Sequence, residues 1–368
     1  MSRYELTISP EYVKHWTPVE AIREIFQNAL DSEGKMSWNY GATHENTLCI
    51  TSTGTKLSYK SLLMGHTTKA LDSSKIGQFG EGFKLALLVL ARCGHYVEIQ
   101  NSNEVWVPKL VKSRRFDSTI LTIDITKKFF SKETALTFVV NGITEEMFAE
   151  FKENNFHLNP VPDTEKIKTG KGSILLSRPG DLFVHGLFVE HKKDFVYGYD
   201  LRPGVLTLDR DRRSVSEFNL SWVASQMWAE SSRADLVAPM LFCGNSKPDV
   251  CYLASHLDKA TGSLSAGLLS DFYTKYGAEA IPVTSQHDYD ILKGRGYNPI
   301  FSNSVFKDFW QTTPSYVSFL EKDKGKKSPF EIVEAFLGGI QYCIPSEAKI
   351  EAEQLLTNSR DWIWANEG

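Results

Sequence analysis

Hydrophobic residues recur with a helical period close to the N-terminus. They occupy one face of the predicted helix, at Val19, Ile22, Phe26, Ala29 and Leu30. Thr17 suits the cap position of this helix, Pro18 suits its first turn, and Glu20 can close a capping box. Gly34 is the residue at which the pattern predicts the end of the helix. The pattern therefore predicts a capped amphipathic helix beginning at Thr17.

The next hydrophobic runs differ in length and in their flanks. Leu48–Ile50 reads as a short buried strand, and residues 51–76 are polar enough to predict a long loop. Phe83–Arg92 is apolar on nearly all sides, which predicts a buried helix ending at Gly94. Strand-like runs follow at 95–100, 104–110, 119–125 and 136–140. Two helices followed by a meander predict an α+β sandwich, with one helical layer on an antiparallel sheet.

The remaining chain predicts further structure beyond this sandwich. Strands are expected at 173–176, 182–189 and 205–208, and a helix from Ser216 to about residue 230. A mixed α/β pattern follows, and Ser328-Pro329-Phe330-Glu331 repeats the cap, proline and glutamate arrangement seen at Thr17. A chain of 368 residues suggests two or three domains. We expect them at 1–165, 166–235 and 236–368.

Composition narrows the functional classes. The net charge of −4 gives no global positive field that would attract nucleic acid or anionic membrane. The N-terminus has no apolar signal core, and the strongly apolar stretch Leu85–Ala91 is too short to span a bilayer. We therefore expect a cytoplasmic location, which would be the host cytoplasm if a virus encodes the chain, and no membrane partner. The 5 widely spaced cysteines predict buried reduced thiols.

Three polar residues share a face of the first helix. Glu24, Asn28 and Asp31 follow at intervals of four and three, offset from the apolar stripe. Nucleotide hydrolysis needs a carboxylate that orients or deprotonates water and an oxygen ligand for magnesium. Glu24 suits the first role and Asn28 the second. Taken alone, the pattern is more typical of a solvated helix face.

A glycine-rich segment precedes the second helix. Gly77, Gly80 and Gly82 allow close approach of the main chain to a ligand, and a helix start favours phosphate oxygens. Lys84 adds charge nearby. The segment lacks the Gly-Lys-Ser/Thr ending of a Walker A loop, and its order differs from a dinucleotide fingerprint. Taken alone, it also fits a flexible hinge.

As a pair, Glu24-x-x-x-Asn28-Ala29-x-Asp31 and Gly77-x-x-Gly80-x-Gly82 resemble the motifs of the GHKL superfamily. That group includes type II topoisomerases, the ninety-kilodalton heat-shock chaperone, sensor histidine kinases and MutL proteins. The run from Ile76 to Phe83 looks most like the chaperone's version. The resemblance covers about residues 1–230 and implies a Bergerat α/β sandwich, then a transducer-like α+β domain, then a C-terminal α/β region.

The resemblance also implies roles for individual residues. Glu24 would be the general base and Asn28 the magnesium ligand, with ATP and Mg²⁺ as the cofactors. The long polar loop would be the ATP lid, and the glycine-rich segment would hinge it and bind phosphates. The implied nucleotide-binding residues are Asn28, Asp31, Ser52, Gly54, Thr67, Thr68, Lys69, Gly77, Gln78, Phe79, Gly80, Glu81, Gly82, Phe83 and Lys84.

One motif departs from the superfamily pattern. The middle motif, Asp-x-Gly-x-Gly, carries an aspartate that bonds the adenine amino group, and here the matching residues are Ser52, Gly54 and Lys56. A serine hydroxyl can both donate and accept, so Ser52 can still bond adenine directly or through water. It lacks the charge-assisted strength of a carboxylate, which puts base specificity in question.

A charged segment from Leu208 to Arg213 follows a predicted strand. It resembles the chaperone's catalytic-arginine loop, with Arg212 the nearest match and Arg210 the second, and a guanidinium there would neutralise charge on the transferred phosphoryl group. As a bare pattern it equally fits a surface ion-pair cluster. Residues 187–212 also look, more loosely, like the phage rapid-lysis protein A group of GHKL proteins.

The first functional hypothesis is therefore an ATPase whose nucleotide state changes its shape or drives homodimerisation. The second is a non-hydrolysing nucleotide-binding interaction protein, such as a phage or bacterial regulatory or defence factor with an unidentified protein partner. A third is a MutL-like DNA clamp, for which the basic run Lys109, Lys112, Arg114 and Arg115 could contact phosphates. A solvated hairpin accounts better for that run, so nucleic acid is not the favoured partner.

Overall fold

A computed structural model describes most of the chain. The described residues are 1–42, 44–63, 82–128, 134–206, 215–257 and 262–340, with 348, 350, 351 and 354. Within them the fold is mixed α+β, with largely antiparallel sheets and 10 α-helices. Two compact units are present: the first is Met1–Ile167, Lys171–Lys193 and Tyr197–Ser216, and the second is Lys168–Gly170, Asp194–Val196 and Glu217–Gly368. The expected division into three domains remains a prediction.

A seven-stranded sheet forms the base of the first unit. Its strands are β1 Ser2–Leu6, β2 Met36–Tyr40, β3 Thr47–Thr53, β4 Val97–Asn101, β5 Glu104–Ser113, β6 Ser118–Lys127 and β7 Ala135–Asn141. They lie in the order β1-β6-β5-β4-β7-β3-β2, and every neighbouring pair is antiparallel. Alternate residues of each strand point to opposite faces, so one face of the sheet can be covered by helices.

The helices of this unit are α1 Pro18–Leu30, α2 Gly82–Arg92 and α3 Glu145–Glu153. Helix α1 packs on α2, α3 and β3, while α2 also packs on β4 and β5. Thr17 and Glu20 close the predicted capping box at the start of α1. The apolar face of α1 and nearly all of α2 are buried in one core with Leu48, Ile50 and Trp106. This arrangement confirms the predicted layer of helices on an antiparallel sheet.

Gly34 was expected to stop the first helix, but α1 ends earlier, at Leu30. The glycine serves a close approach instead, because a Cβ atom at this position would lie 1.6 Å from the Thr53 carbonyl oxygen. The neighbouring Lys35 carbonyl accepts a hydrogen bond of 3.0 Å from the Thr53 amide. A larger residue at position 34 would therefore separate the chain after α1 from the end of β3.

A second, five-stranded sheet follows. Its strands are β8 Lys166–Thr169, β9 Gly172–Leu175, β10 Asp181–Val184, β11 Leu187–His191 and β12 Gly198–Leu201, in the order β11-β10-β12-β9-β8. The prediction of a single strand over residues 182–189 is wrong. His185 (φ 52°) and Gly186 (φ 73°) make a two-residue turn between β10 and β11, because two successive positive φ angles form the turn that suits a hairpin.

The second unit is mainly helical within the residues described. Its elements are α4 Glu217–Ser231, α5 Ala234–Leu241, α6 Ser263–Tyr276, β13 Ala280–Val283, α7 Gln286–Gly294, β14 Asn298–Phe301, α8 Ser304–Trp310, α9 Pro314–Asp323 and α10 Pro329–Ile340. Strands β13 and β14 are parallel neighbours, joined by α7. Ser328 and Glu331 form the predicted capping box at the start of α10.

None of the helices in the described part of the chain has the length and apolar character needed to cross a bilayer. The strand expected at 205–208 is absent at residues 205 and 206, and its other residues lie outside the described ranges.

Candidate functional site

Helix α1 presents Glu24 to the interior. Its side chain is fully buried, and its Oε1 accepts a hydrogen bond of 3.0 Å from Nη2 of Arg23. The Nη1 atom of Arg23 donates to the main-chain oxygen of Phe188 on β11, at 2.9 Å. Burying a carboxylate is costly unless its charge is compensated. Arg23 supplies that compensation and joins α1 to the second sheet of the same unit.

Asn28 lies one turn further along α1 and is partly exposed. Its Nδ2 donates to the main-chain oxygen of Glu24 at 2.7 Å. Its Oδ1 has no hydrogen-bond partner in the described part of the chain. The helix thus orients the amide through its nitrogen. A hard cation prefers oxygen ligands, so the amide oxygen is the atom that can bind one.

Asp31 ends the same helix and is only 7% exposed. It acts electrostatically on His185 in the β10–β11 turn. Burial lowers the pKa of His185, the nearby His157 lowers it further, and Asp200 and Asp31 oppose both effects. His157 Nε2 donates to the His185 main-chain oxygen at 2.7 Å. Asp31 therefore belongs to a polar cluster that lies between α1 and the second sheet.

Ser52 lies near the end of β3 and is 3% exposed. Leu48 and Ile50 on the same strand belong to the core beneath the helices. Because side chains alternate along a strand, Ser52 points toward that helical layer too. Its hydroxyl makes no hydrogen bond to any residue that the structure describes. A hydroxyl can both donate and accept a hydrogen bond, so Ser52 can bond a ligand on this face of the sheet.

Gly54 follows β3 in a left-handed conformation, with φ of 75°. Its amide donates to the Thr134 main-chain oxygen at 2.7 Å. Apart from Gly54 and its two chain neighbours, the described residues place no atom within 4 Å of the position a Cβ would take. The positive φ, rather than crowding, is what favours glycine here.

Gly82, Phe83 and Lys84 form the first turn of α2, and all three are buried. The Lys84 ammonium donates to the main-chain oxygens of Ser61 and Leu63, at 2.9 and 2.5 Å. The structure therefore brings α1, the end of β3 and the start of α2 into one unit. The remaining predicted residues lie outside the described ranges: Thr67, Thr68, Lys69, Gly77, Gln78, Phe79, Gly80, Glu81, Arg210 and Arg212.

Arg23 is a described residue beside the candidate site that the sequence analysis missed. Its charge beside Glu24 was visible in the sequence, but neighbouring residues of a helix point in different directions, so adjacency alone did not mark it as a partner. Its second contact, to the Phe188 oxygen, joins residues 165 positions apart, and no local pattern shows it.

The basic run weighed as a nucleic-acid surface is found on the β5–β6 hairpin. Lys109 pairs with Asp124 at 3.3 Å, and Lys112 pairs with Asp117 at 3.5 Å. Asp124 is also held by Arg3, whose hydrogen bonds lower the pKa of that carboxyl. These ion pairs reduce the positive charge available for phosphates, in keeping with a solvated hairpin.

A comparison of the sequence with models of known protein families and with curated proteins finds no match. Within the described residues, no group of three or more His, Cys, Asp and Glu side chains is arranged to hold a metal ion. A cation at Asn28 would therefore need oxygens from a bound phosphate or water as well as the amide oxygen.

Proposed function

We propose that this chain is a magnesium-dependent ATPase of the GHKL type, in which nucleotide binding changes the conformation or the dimerisation of the protein. The observation that carries the proposal is the arrangement on α1. A buried carboxylate, Glu24, precedes by one turn an amide, Asn28, whose nitrogen is tied to the helix and whose oxygen is not. The antiparallel sheet under α1 and α2 supports the Bergerat sandwich that the motifs imply.

In this proposal Glu24 orients and deprotonates the attacking water. Arg23 fixes the carboxylate through its Nη2 atom, so Glu24 is held in one position before any ligand arrives. Asn28 would hold the magnesium ion through its Oδ1, and the metal would supply charge neutralisation at the phosphates. Ser52, facing the helical layer from β3, bonds the base. The lid, Arg210 and Arg212 keep the roles that the superfamily resemblance implies.

The serine at position 52 supports a second function, that of a nucleotide-binding interaction protein without turnover. A hydroxyl discriminates between bases less strongly than a carboxylate, since it offers no charge-assisted bond. This alternative predicts that ATP and GTP bind with similar affinity and that neither is hydrolysed.

Calorimetry tests the proposed binding. We expect wild type to bind ATP more tightly with magnesium than without it. Asn28→Ala should remove most of that magnesium dependence, because the amide oxygen is lost, while leaving metal-free ATP binding intact. Asn39→Ala, at an exposed position on β2, is the matched control and should behave as wild type.

An absence of ATP binding under every condition would contradict both functions. Equal magnesium dependence in Asn28→Ala and wild type would remove Asn28 from the metal site.

A further inference from the structure

The segment that leads from β3 toward the predicted lid is held by polar side chains. Asn101 on β4 is fully buried and makes two hydrogen bonds to the main chain of Leu57, at 2.9 and 3.0 Å. Glu104 on β5 accepts the Tyr59 hydroxyl at 2.5 Å and the Trp106 indole N–H at 2.9 Å. The Tyr59 bond to Glu104 raises the pKa of the tyrosine to about 12. We call residues 57–63 the stem.

Lys84 makes the third attachment of the stem, from the first turn of α2. Its side chain is 0% exposed, and its ammonium donates to the carbonyls of Ser61 and Leu63. Leu62, between those two residues, is itself in the hydrophobic core. An ammonium buried this deeply is tolerated only because it is hydrogen-bonded. Its bonds also satisfy two carbonyls at the end of the short 3₁₀ helix Tyr59–Leu62.

The burial of Lys84 bears on its chemistry. A lysine that binds phosphate acts as a point charge at the ligand surface. To reach a phosphate, the Lys84 ammonium would have to give up at least its charge-assisted bonds to Ser61 and Leu63 and leave the interior. The same two bonds connect α2 to the stem across 23 and 21 residues of chain. Lys84 therefore has a structural role in this state of the protein.

We infer that Lys84 is a positioning residue of the nucleotide site, which fixes the stem against the start of α2, and that it is not a phosphate ligand. This inference rests on the proposed function for its ligand. It predicts how affinity depends on phosphate number. If Lys84 only positions the site, its loss weakens the binding of adenosine, ADP and ATP by the same factor. If Lys84 instead binds phosphate, its loss weakens binding least for adenosine, more for ADP and most for ATP.

The variant is Lys84→Met, which keeps the length of the side chain and removes the charge and the donors. Lys60→Met is the matched control, because Lys60 is an exposed lysine in the same stem. The first readout is amide hydrogen exchange of residues 57–63 without nucleotide. We expect exchange to be about ten- to a hundredfold faster in Lys84→Met, the range for losing charged hydrogen bonds, and unchanged in Lys60→Met.

The second readout is the affinity for adenosine, ADP and ATP. Equal loss for the three ligands supports the inference, and a loss that grows with each phosphate overturns it. Unchanged exchange in the stem overturns it as well. If wild type binds none of the ligands, the proposed function fails, and the exchange measurement alone still decides whether Lys84 holds the stem. Should Lys84→Met not fold, Lys84→Gln takes its place in the affinity readout, because glutamine also removes the charge: equal loss for the three ligands supports the inference, and a loss that grows with each phosphate overturns it.

Discussion

Helices α1 and α10 begin with the same kind of capping sequence, but the apolar residues of α1 are buried and those of α10 are exposed. Thr17-Pro18-Val19-Glu20 and Ser328-Pro329-Phe330-Glu331 both close a capping box. In α1, Ile22, Ile25 and Phe26 are at most 1% exposed. In α10, Ile332, Val333 and Phe336 are 55%, 43% and 63% exposed. Capping decides where a helix starts, and tertiary packing decides what the helix then stabilises.

The ion pairs of α1 and α10 also differ in how deeply they are buried. On α1, Arg23 and Glu24 form an ion pair with side chains that are 10% and 0% exposed, beside the candidate site. On α10, Glu331 is held by two nitrogens of Arg295, which also pairs with Asp323. The α10 network anchors one helix end, whereas in the proposed function the α1 pair holds the buried carboxylate that acts as the general base.

Removing one aromatic ring from each helix tests the packing difference with the largest expected effect. Phe26 packs edge-on against Phe151 with ring centroids 5.4 Å apart. Phe26→Ala should lower the free energy of unfolding by about 3–5 kcal/mol, because it leaves a cavity in the core. Phe336→Ala should change it by less than about 0.5 kcal/mol. Denaturant unfolding measures both, and a large loss in Phe336→Ala would show that α10 is packed as closely as α1.

The two caps give a smaller test. Thr17→Ala should lower global stability by about 1 kcal/mol, since the cap of a core helix is lost. Ser328→Ala removes an equivalent cap from α10, and we expect faster amide exchange in the first turn of α10 with little change in the global unfolding midpoint. Equal shifts in the midpoint for both variants would contradict the contrast between the helices.

The smallest effect concerns pH. The hydrogen bonds from Arg295 lower the pKa of Glu331 to about 2, from an ordinary value of 4.5. Because the folded pKa lies below the unfolded one, the stabilisation is complete above pH 4.5 and is lost as pH falls toward 2. Amide exchange at the start of α10 should therefore accelerate in this window by about fivefold or less, the scale of a partly exposed ion pair.

Glu331→Gln should remove that acceleration, because glutamine does not titrate. Glu334→Gln, at an exposed position of the same helix, is the control and should keep it. Acceleration of the same size in Glu331→Gln would assign the effect to another group.

Much of the first unit could be predicted because its signals are local. Periodicity and capping residues located α1, and an unbroken apolar run located α2. Strands β1 and β2 were missed because they are edge strands with mostly exposed residues. Helix α3 was missed although Thr144 caps it, a signal that was available in the sequence.

The candidate site was proposed from similarly local signals. Glu24, Asn28 and Ser52 were chosen from spacing and from resemblance to a known motif, and their roles stay predictions. The contacts of Lys84 with Ser61 and Leu63, and of Arg23 with Phe188, depend on main-chain carbonyls distant in sequence. Any residue can supply a main-chain carbonyl, so no residue pattern marks such a partner in advance.

The most direct test of the account is single-turnover ATP hydrolysis by Glu24→Gln. Glutamine keeps an oxygen for the Arg23 bond but cannot accept a proton from water. We predict that hydrolysis falls by about 10²–10⁴-fold, the usual contribution of a general base, while ATP affinity is retained. Glu33→Gln, an exposed position just after α1, should hydrolyse as wild type does. Hydrolysis at the wild-type rate in Glu24→Gln would contradict the central claim that this buried carboxylate is the catalytic base.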